Sequence, residues 1–216
     1  DALNSWFGQA KLGLQWLFTR SGPLAVGINQ GGCFMQALQT PDKRPDIQFH
    51  VATLSADMAG GQVHPFSGFT MSVCQLRPES RGHIRIRSRD PFEAPEMQPN
   101  YLSTDLDRRT AVAAVKAARS IAHAPAMRHL VKQEVKPGQG FEDDAAILEF
   151  CRNNGATIFH PSGTCKMGHD DMAVVDDRLR VHGVAGLRVV DCSMSVSAPG
   201  VYSMPRTWSV PTKFGF

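Results

Sequence analysis

The chain has 216 residues, a formal net charge of +3, 20% charged residues and 42% apolar ones, an ordinary composition for a globular chain long enough to bury a core. Nucleic-acid binding through charge is excluded. The one basic cluster, residues 81–89 (R-G-H-I-R-I-R-S-R), alternates with Ile84 and Ile86 and lacks interleaved aromatics, so it reads as a solvated strand face. Cys33, Cys74, Cys151, Cys165 and Cys192 are scattered and odd in number, without C-x-x-C, which reads as reduced thiols in a cytoplasmic setting. No apolar run reaches the length of a membrane span.

In chain order, residues 5–20 carry Trp6, Phe7, Leu12, Leu14, Trp16, Leu17 and Phe18. They predict a short amphipathic helix stopped by Ser21-Gly22-Pro23. Residues 46–54 alternate through Ile47, Phe49 and Val51, residues 69–76 through Phe69, Met71 and Val73, and residues 83–88 give a third strand. The stretch 90–100 holds Pro91, Pro95 and Pro99 and is expected as loop. Thr104 and Asp107 form a capping pair opening a helix over 105–123, with Ala111, Val115, Ala118 and Ala122 on one face. A second helix is predicted over 142–153, with Asp143 and Asp144 at its start and Asn154-Gly155 at its end. Residues 201–216 show no helical period and follow Pro199-Gly200, with Pro205 and Pro211 inside. A poorly ordered tail is expected there. Short strands joined by Gly/Pro turns, followed by helices, predict an α+β fold: an antiparallel sheet with flanking helices.

The segment with the most chemistry is residues 159–168, F-H-P-S-G-T-C-K-M-G. Pro161 restricts His160 to extended backbone, Gly163 permits a tight turn, and Thr164 offers a hydroxyl to brace it. Further on, Leu187-Arg188-Val189-Val190-Asp191 reads as a strand ending in an acid, followed by Cys192-Ser193. An imidazole titrating near neutral pH can take a hydroxyl proton. A strand-end carboxylate can accept a sugar hydroxyl or, more blandly, cap the next turn. His160, Cys165 and His169 are spaced H-x4-C-x3-H, and Asp170 or Asp171 could be a fourth ligand, but neither ligand pair has zinc-finger spacing and the loop needs no metal to fold, so no metal is assigned. G-x-S-x-G is absent, which leaves hydrolase chemistry without support.

Taken together, H-P-x-G-T-x-x-M-G and G-L-R-V-V-D-x-S resemble the C-terminal signature of the glucose–methanol–choline flavoprotein oxidoreductases, in the choline dehydrogenase-like branch. Leu17 to Ala25 (L-F-T-R-S-G-P-L-A), Arg77 to Asp90 (R-P-E-S-R-G-H-I-R-I-R-S-R-D) and Pro99 to Leu102 (P-N-Y-L) are similar to the same branch. The resemblance implies FAD, a primary alcohol as hydride donor and His160 as the base. It also implies Asp191, Cys192 and Ser193 at the flavin and Arg77 on the substrate side. A fixed cation at Arg77 would disfavour a cationic substrate. The implied organisation is a substrate (cap) domain over 1–155, a return segment toward the FAD domain over 156–197 and an atypical tail over 198–216.

G-x-G-x-x-G, the loop that brings a pyrophosphate onto a helix N-terminus, is not found; Gly27 to Gly32 (G-I-N-Q-G-G) has the wrong spacing. The chain therefore reads as the C-terminal part of a longer enzyme. Its N-terminal FAD-binding half is expected to be the missing partner, and FAD is expected to be absent from this chain alone. The parent is expected in the cytoplasm or peripheral to the inner membrane. The substrate, the electron acceptor and the oligomeric state stay open. A non-catalytic folded module binding a partner or small molecule is the alternative reading.

Overall fold

A computed structural model describes residues 5–41, 43–57, 62–195 and 208–215. In chain order they form α1 (Trp6–Thr19), a 3-10 turn (Pro23–Ala25), β1 (Asn29–Met35), β2 (Ile47–Ala52), β3 (Gly68–Gln75), β4 (His83–Arg85) and β5 (Glu96–Gln98). These are followed by α2 (Asp105–Ala122), β6 (Gln133–Lys136), α3 (Asp144–Asn154), β7 (Ala156–Thr157), a 3-10 turn (Cys192–Met194) and β8 (Trp208–Gly215). The fold is α+β, as the sequence predicts. By contact the chain divides into two units: Asp1–Cys74 with Ala111–Gly155 and Val210–Phe216, and Gln75–Thr110 with Ala156–Ser209.

The first unit holds the sheet β1-β2-β3-β8-β6. β1 pairs antiparallel with β2, and β6 with β8. Ile47, Phe49, Ala52, Phe69, Met71, Val73 and Cys74 from β2 and β3 are buried, as are Val115, Ala118 and Ala122 of α2 and Ile147, Phe150 and Cys151 of α3. Burial raises the thiol of Cys74 to about 11 and that of Cys151 to about 12, so both stay protonated. All five cysteines are free.

Polar side chains cap α1 and α3 at their starts. Ser5 Oγ accepts from Gly8 N at 3.0 Å to cap α1, which stops at Arg20 in a left-handed conformation (φ 51°). Asp143 accepts from Ala146 N at 2.8 Å to cap α3. No residue of α1 is buried, and Trp6, Phe7 and Phe18 are all more than three-quarters exposed. No helix among the described residues is long and apolar enough to cross a membrane.

Three departures from the sequence reading concern the tail and the β4–β5 hairpin. The tail is not shapeless over residues 208–215: β8 lies between β3 and β6. Thr212 Oγ1 donates to Met71 O at 2.5 Å. The fully buried Lys213 donates to Asp57 Oδ1 at 2.5 Å, an oxygen that also accepts from Lys136 Nζ at 2.8 Å. A proline within a run argues for an edge strand or none, and Pro211 hides the alternation of Trp208, Val210, Thr212 and Phe214. Residues 198–207 lie outside the described residues.

Second, the expected loop over 90–100 contains β5, because the proline-free residues between Pro95 and Pro99 pair with β4. A Cβ on Gly82 would stand 2.1 Å from Gln98 O, so only glycine allows this hairpin to close. Third, the strand predicted over 83–88 is shorter, and both of its isoleucines are exposed.

Candidate functional site

The two motifs singled out in the sequence meet within the second unit. Phe159 opens the histidine turn at φ 61°, an uncommon conformation for a bulky residue. Its N–H donates to Thr157 Oγ1 at 3.0 Å, so the hydroxyl holding the start of this turn is that of Thr157. His160 follows in the exposed stretch 159–161, Ser162 is buried, and Gly163 takes φ 79°. Beyond this turn the chain runs alongside the acid motif. Gly163 N donates to Cys192 O at 3.4 Å, Cys165 N to Ser193 O at 2.9 Å, and Met167 N to Met194 O at 2.9 Å. Every second N–H of the first segment thus meets successive carbonyls of the second.

Asp191 is the N-cap of this 3-10 turn, accepting from Ser193 N at 2.7 Å. Hydrogen bonds from the Ser193 side chain and then its backbone hold the exposed Asp191 carboxyl below its usual range. The capping reading of this residue is therefore realised, and an exposed, ionised carboxylate with about four acceptor sites retains capacity for a further donor. Cys192 is exposed and Ser193 half-buried. The expected strand before Asp191 is reduced to an isolated bridge, Arg180 to Arg188, and a bond from Val189 N to Leu179 O at 3.1 Å.

Sequence reasoning missed what shapes the chain between the motifs. Asp176 accepts from Arg178 N and Arg180 N, both at 2.9 Å, and from Arg180 Nε at 2.7 Å. These bonds, the Arg180 side chain foremost, lower its pKa to about 2. Val175, fully buried, bridges both Met167 and Val181. The D-D-R-L-R run reads as a charged surface loop, and the only signal of its role is an acid four residues before an arginine.

Arg77 is half-buried in the segment between β3 and β4. The metal reading finds no cluster: no group of three or more His, Cys, Asp or Glu among the described residues could hold an ion. Asp170 is engaged instead by Lys166 Nζ, at 2.7 and 2.8 Å to its two oxygens.

Residues 78–208 match the family model described as GMC oxidoreductase. The chain is 40% identical over 189 residues to the oxygen-dependent choline dehydrogenase of Cronobacter sakazakii, covering 88% of this chain and 34% of the relative. An oxygen-dependent choline dehydrogenase of Escherichia coli matches with the same identity and coverage. The chain thus spans about a third of the length of these relatives. Among solved structures, a formate oxidase aligns with TM-score 0.79 at 20% identity, over 94% of this chain and 39% of that one, which shows the fold. Pyridoxine 4-oxidase from Mesorbium loti aligns with TM-score 0.68 at 26% identity, over 83% and 36%. Motifs, fold and relatives agree: the chain belongs to the GMC oxidoreductase family.

Proposed function

We propose that this chain is the substrate-side part of an FAD-dependent alcohol oxidoreductase of the choline dehydrogenase type, with His160 as the base that takes the proton of a primary alcohol. The observation that carries this reading is the backbone pairing of the His160 segment with the Asp191–Met194 turn. It holds a basic group and an ionised acceptor on one locally rigid piece. In this reading residues 1–155 form the substrate (cap) domain, 156–197 lead toward the FAD domain, and 198–216 are a tail of its own kind. Arg77 stands on the substrate side. The parent works in the cytoplasm or at the periphery of the inner membrane.

The residues suit one portion of FAD. Asp191 is exposed, ionised and braced by Ser193, which fits it to accept from a sugar hydroxyl. With Cys192 and Ser193 it would hold that portion, whereas no glycine loop for the pyrophosphate occurs in the sequence. The pyrophosphate contacts belong to an N-terminal FAD-binding partner half. Bound FAD would supply the acceptor for the hydride leaving the alcohol carbon. His160 accepts the hydroxyl proton at an imidazole nitrogen, and Pro161 with the positive φ at Phe159 and Gly163 sets the backbone that carries the ring. The exposed apolar side chains of α1 are surface that a missing half can cover.

This division of labour is measurable. Titrated with FAD, the chain alone is expected to show no thermal shift. A ligand at 100 times its Kd would stabilise the native state by about 2.7 kcal/mol, so a clear shift with sub-micromolar affinity overturns the split site. In the full-length parent, Asp191→Ala is expected to deplete bound flavin while turnover per remaining flavin stays near wild type. Full flavin content in that variant would remove Asp191 from the cofactor site.

A further inference from the structure

Asp107 is 1% exposed, and a carboxylate that deep persists only with its hydrogen bonds made. The sequence reading gives it to the start of α2, but only the backbone serves that end: Asp107 N donates to Thr104 Oγ1 at 3.3 Å. The carboxylate turns to another segment. Its Oδ1 accepts from Gln75 Nε2 and from Glu79 N, both at 2.9 Å, and its Oδ2 accepts from Ser80 N at 2.9 Å. These donors bracket the short loop that carries Arg77. Ser80, itself buried, extends the clamp by accepting at Oγ from Ser103 N at 3.0 Å. The next residue of α2, Arg108, donates through Nε to Leu102 O at 2.9 Å and through Nη2 to Ser103 O at 2.7 Å. This fastens a stretch in which Asn100 and Leu102 both take positive φ. The first turn of α2 therefore fixes the ends of the Arg77 loop in one place within the second unit.

We propose that Asp107 is a positioning residue for substrate charge selection: by clamping Gln75, Glu79 and Ser80 it fixes where the Arg77 cation stands. This rests on the reading that Arg77 lies on the substrate side of an alcohol oxidoreductase. Three donors on one buried carboxylate define the loop ends more tightly than side-chain packing would, because each N–H left without its acceptor is costly. A fixed cation discriminates sharply between charged and neutral substrates; a wandering one is averaged by solvent.

The test uses the full-length flavin-loaded parent and two probes, choline and its neutral tert-butyl isostere. The readout is the ratio of kcat/KM for choline to that for the isostere. Arg77→Met is expected to raise the ratio about tenfold, the scale of one like charge lost at roughly 10 Å at an effective dielectric of about 20. Asp107→Asn puts an amide N–H against one of the backbone donors and is expected to raise the ratio roughly threefold. In the Arg77→Met background it should add nothing. Gln75→Ala loosens one end of the loop without stranding the buried charge, and should move the ratio in the same direction by less. It keeps the test available if Asp107→Asn folds poorly. If Arg77→Met shifts the ratio and neither Asp107→Asn nor Gln75→Ala does, the positioning role is overturned and the substrate-side reading of Arg77 stands. If Arg77→Met leaves the ratio unchanged, that reading fails and the proposal with it. A shift from Asp107→Asn that persists in the Arg77→Met background shows that Asp107 acts by another route, and also overturns the proposal.

Discussion

His160→Ala in the full-length parent is expected to lower kcat/KM for its primary alcohol by about 10²–10⁴, the usual worth of a positioned general base. Flavin content should stay near wild type, because the imidazole serves the hydroxyl proton and not the groups that anchor FAD. His160 lies in an exposed stretch whose backbone is set by Pro161 and by positive φ at Phe159 and Gly163. Removing the ring therefore leaves no buried cavity, and a fall in rate is not explained by unfolding. Rapid-mixing measurement of flavin reduction decides it: an unchanged reduction rate in His160→Ala makes the turn structural and the base another group.

The second large effect concerns stability. Deleting residues 208–216 from this chain is expected to lower Tm by roughly 10 °C or more, since in a chain of this size each 1 kcal/mol is worth about 2–4 °C. β8 is the common neighbour of β3 and β6. Without it both strands expose a row of unpaired backbone groups, Met71 O loses Thr212, and Asp57 loses Lys213. Acid should weaken the same region. Lys136 first, then Lys213, hold the Asp57 carboxyl well below the usual carboxylate range. The stability this contributes is complete above the unfolded value near pH 4 and is lost as pH falls through the folded value. Its size is modest, because Asp57 is mostly exposed. A Tm unchanged by the deletion, read by scanning calorimetry, would remove β8 from the sheet.

The parts of the fold legible in the sequence are those whose burial is periodic. β2 and β3 alternate through Ile47, Phe49, Phe69, Met71 and Val73, all buried. α2 and α3 announce themselves by apolar faces and by acids at their starts. What was not legible has a physical reason in each case. β1 (N-Q-G-G-C-F-M) is exposed over all but its last residue. Its glycines fit close to β2, where a Cβ on Gly32 would come 3.2 Å from Phe49 O, and closeness of that kind leaves no hydrophobic trace. β6 is four mostly polar residues, and its Glu134 is occupied by Arg119 Nε at 3.0 and 3.1 Å. That partner lies fifteen positions away, beyond any local rule. The candidate site divides the same way. Its residue types single out His160 and Asp191 as a base and an acceptor, and the family resemblance adds Cys192, Ser193 and Arg77. The carbonyl-to-N–H pairing that joins the motifs belongs to the backbone and carries no side-chain signature. Asp107 stands in the sequence only as a helix cap, because its three acceptor bonds reach back 27–32 positions.

The role proposed for this chain is to supply the proton-accepting side of a flavin-dependent alcohol oxidation. Its most direct test is anaerobic addition of a primary alcohol, choline or its neutral isostere, to the full-length parent while the flavin absorbance is followed. One equivalent of an accepted alcohol is expected to bleach the bound flavin, with the alcohol recovered as the aldehyde. A parent that binds flavin yet is bleached by neither alcohol, while remaining reducible by dithionite, would contradict it.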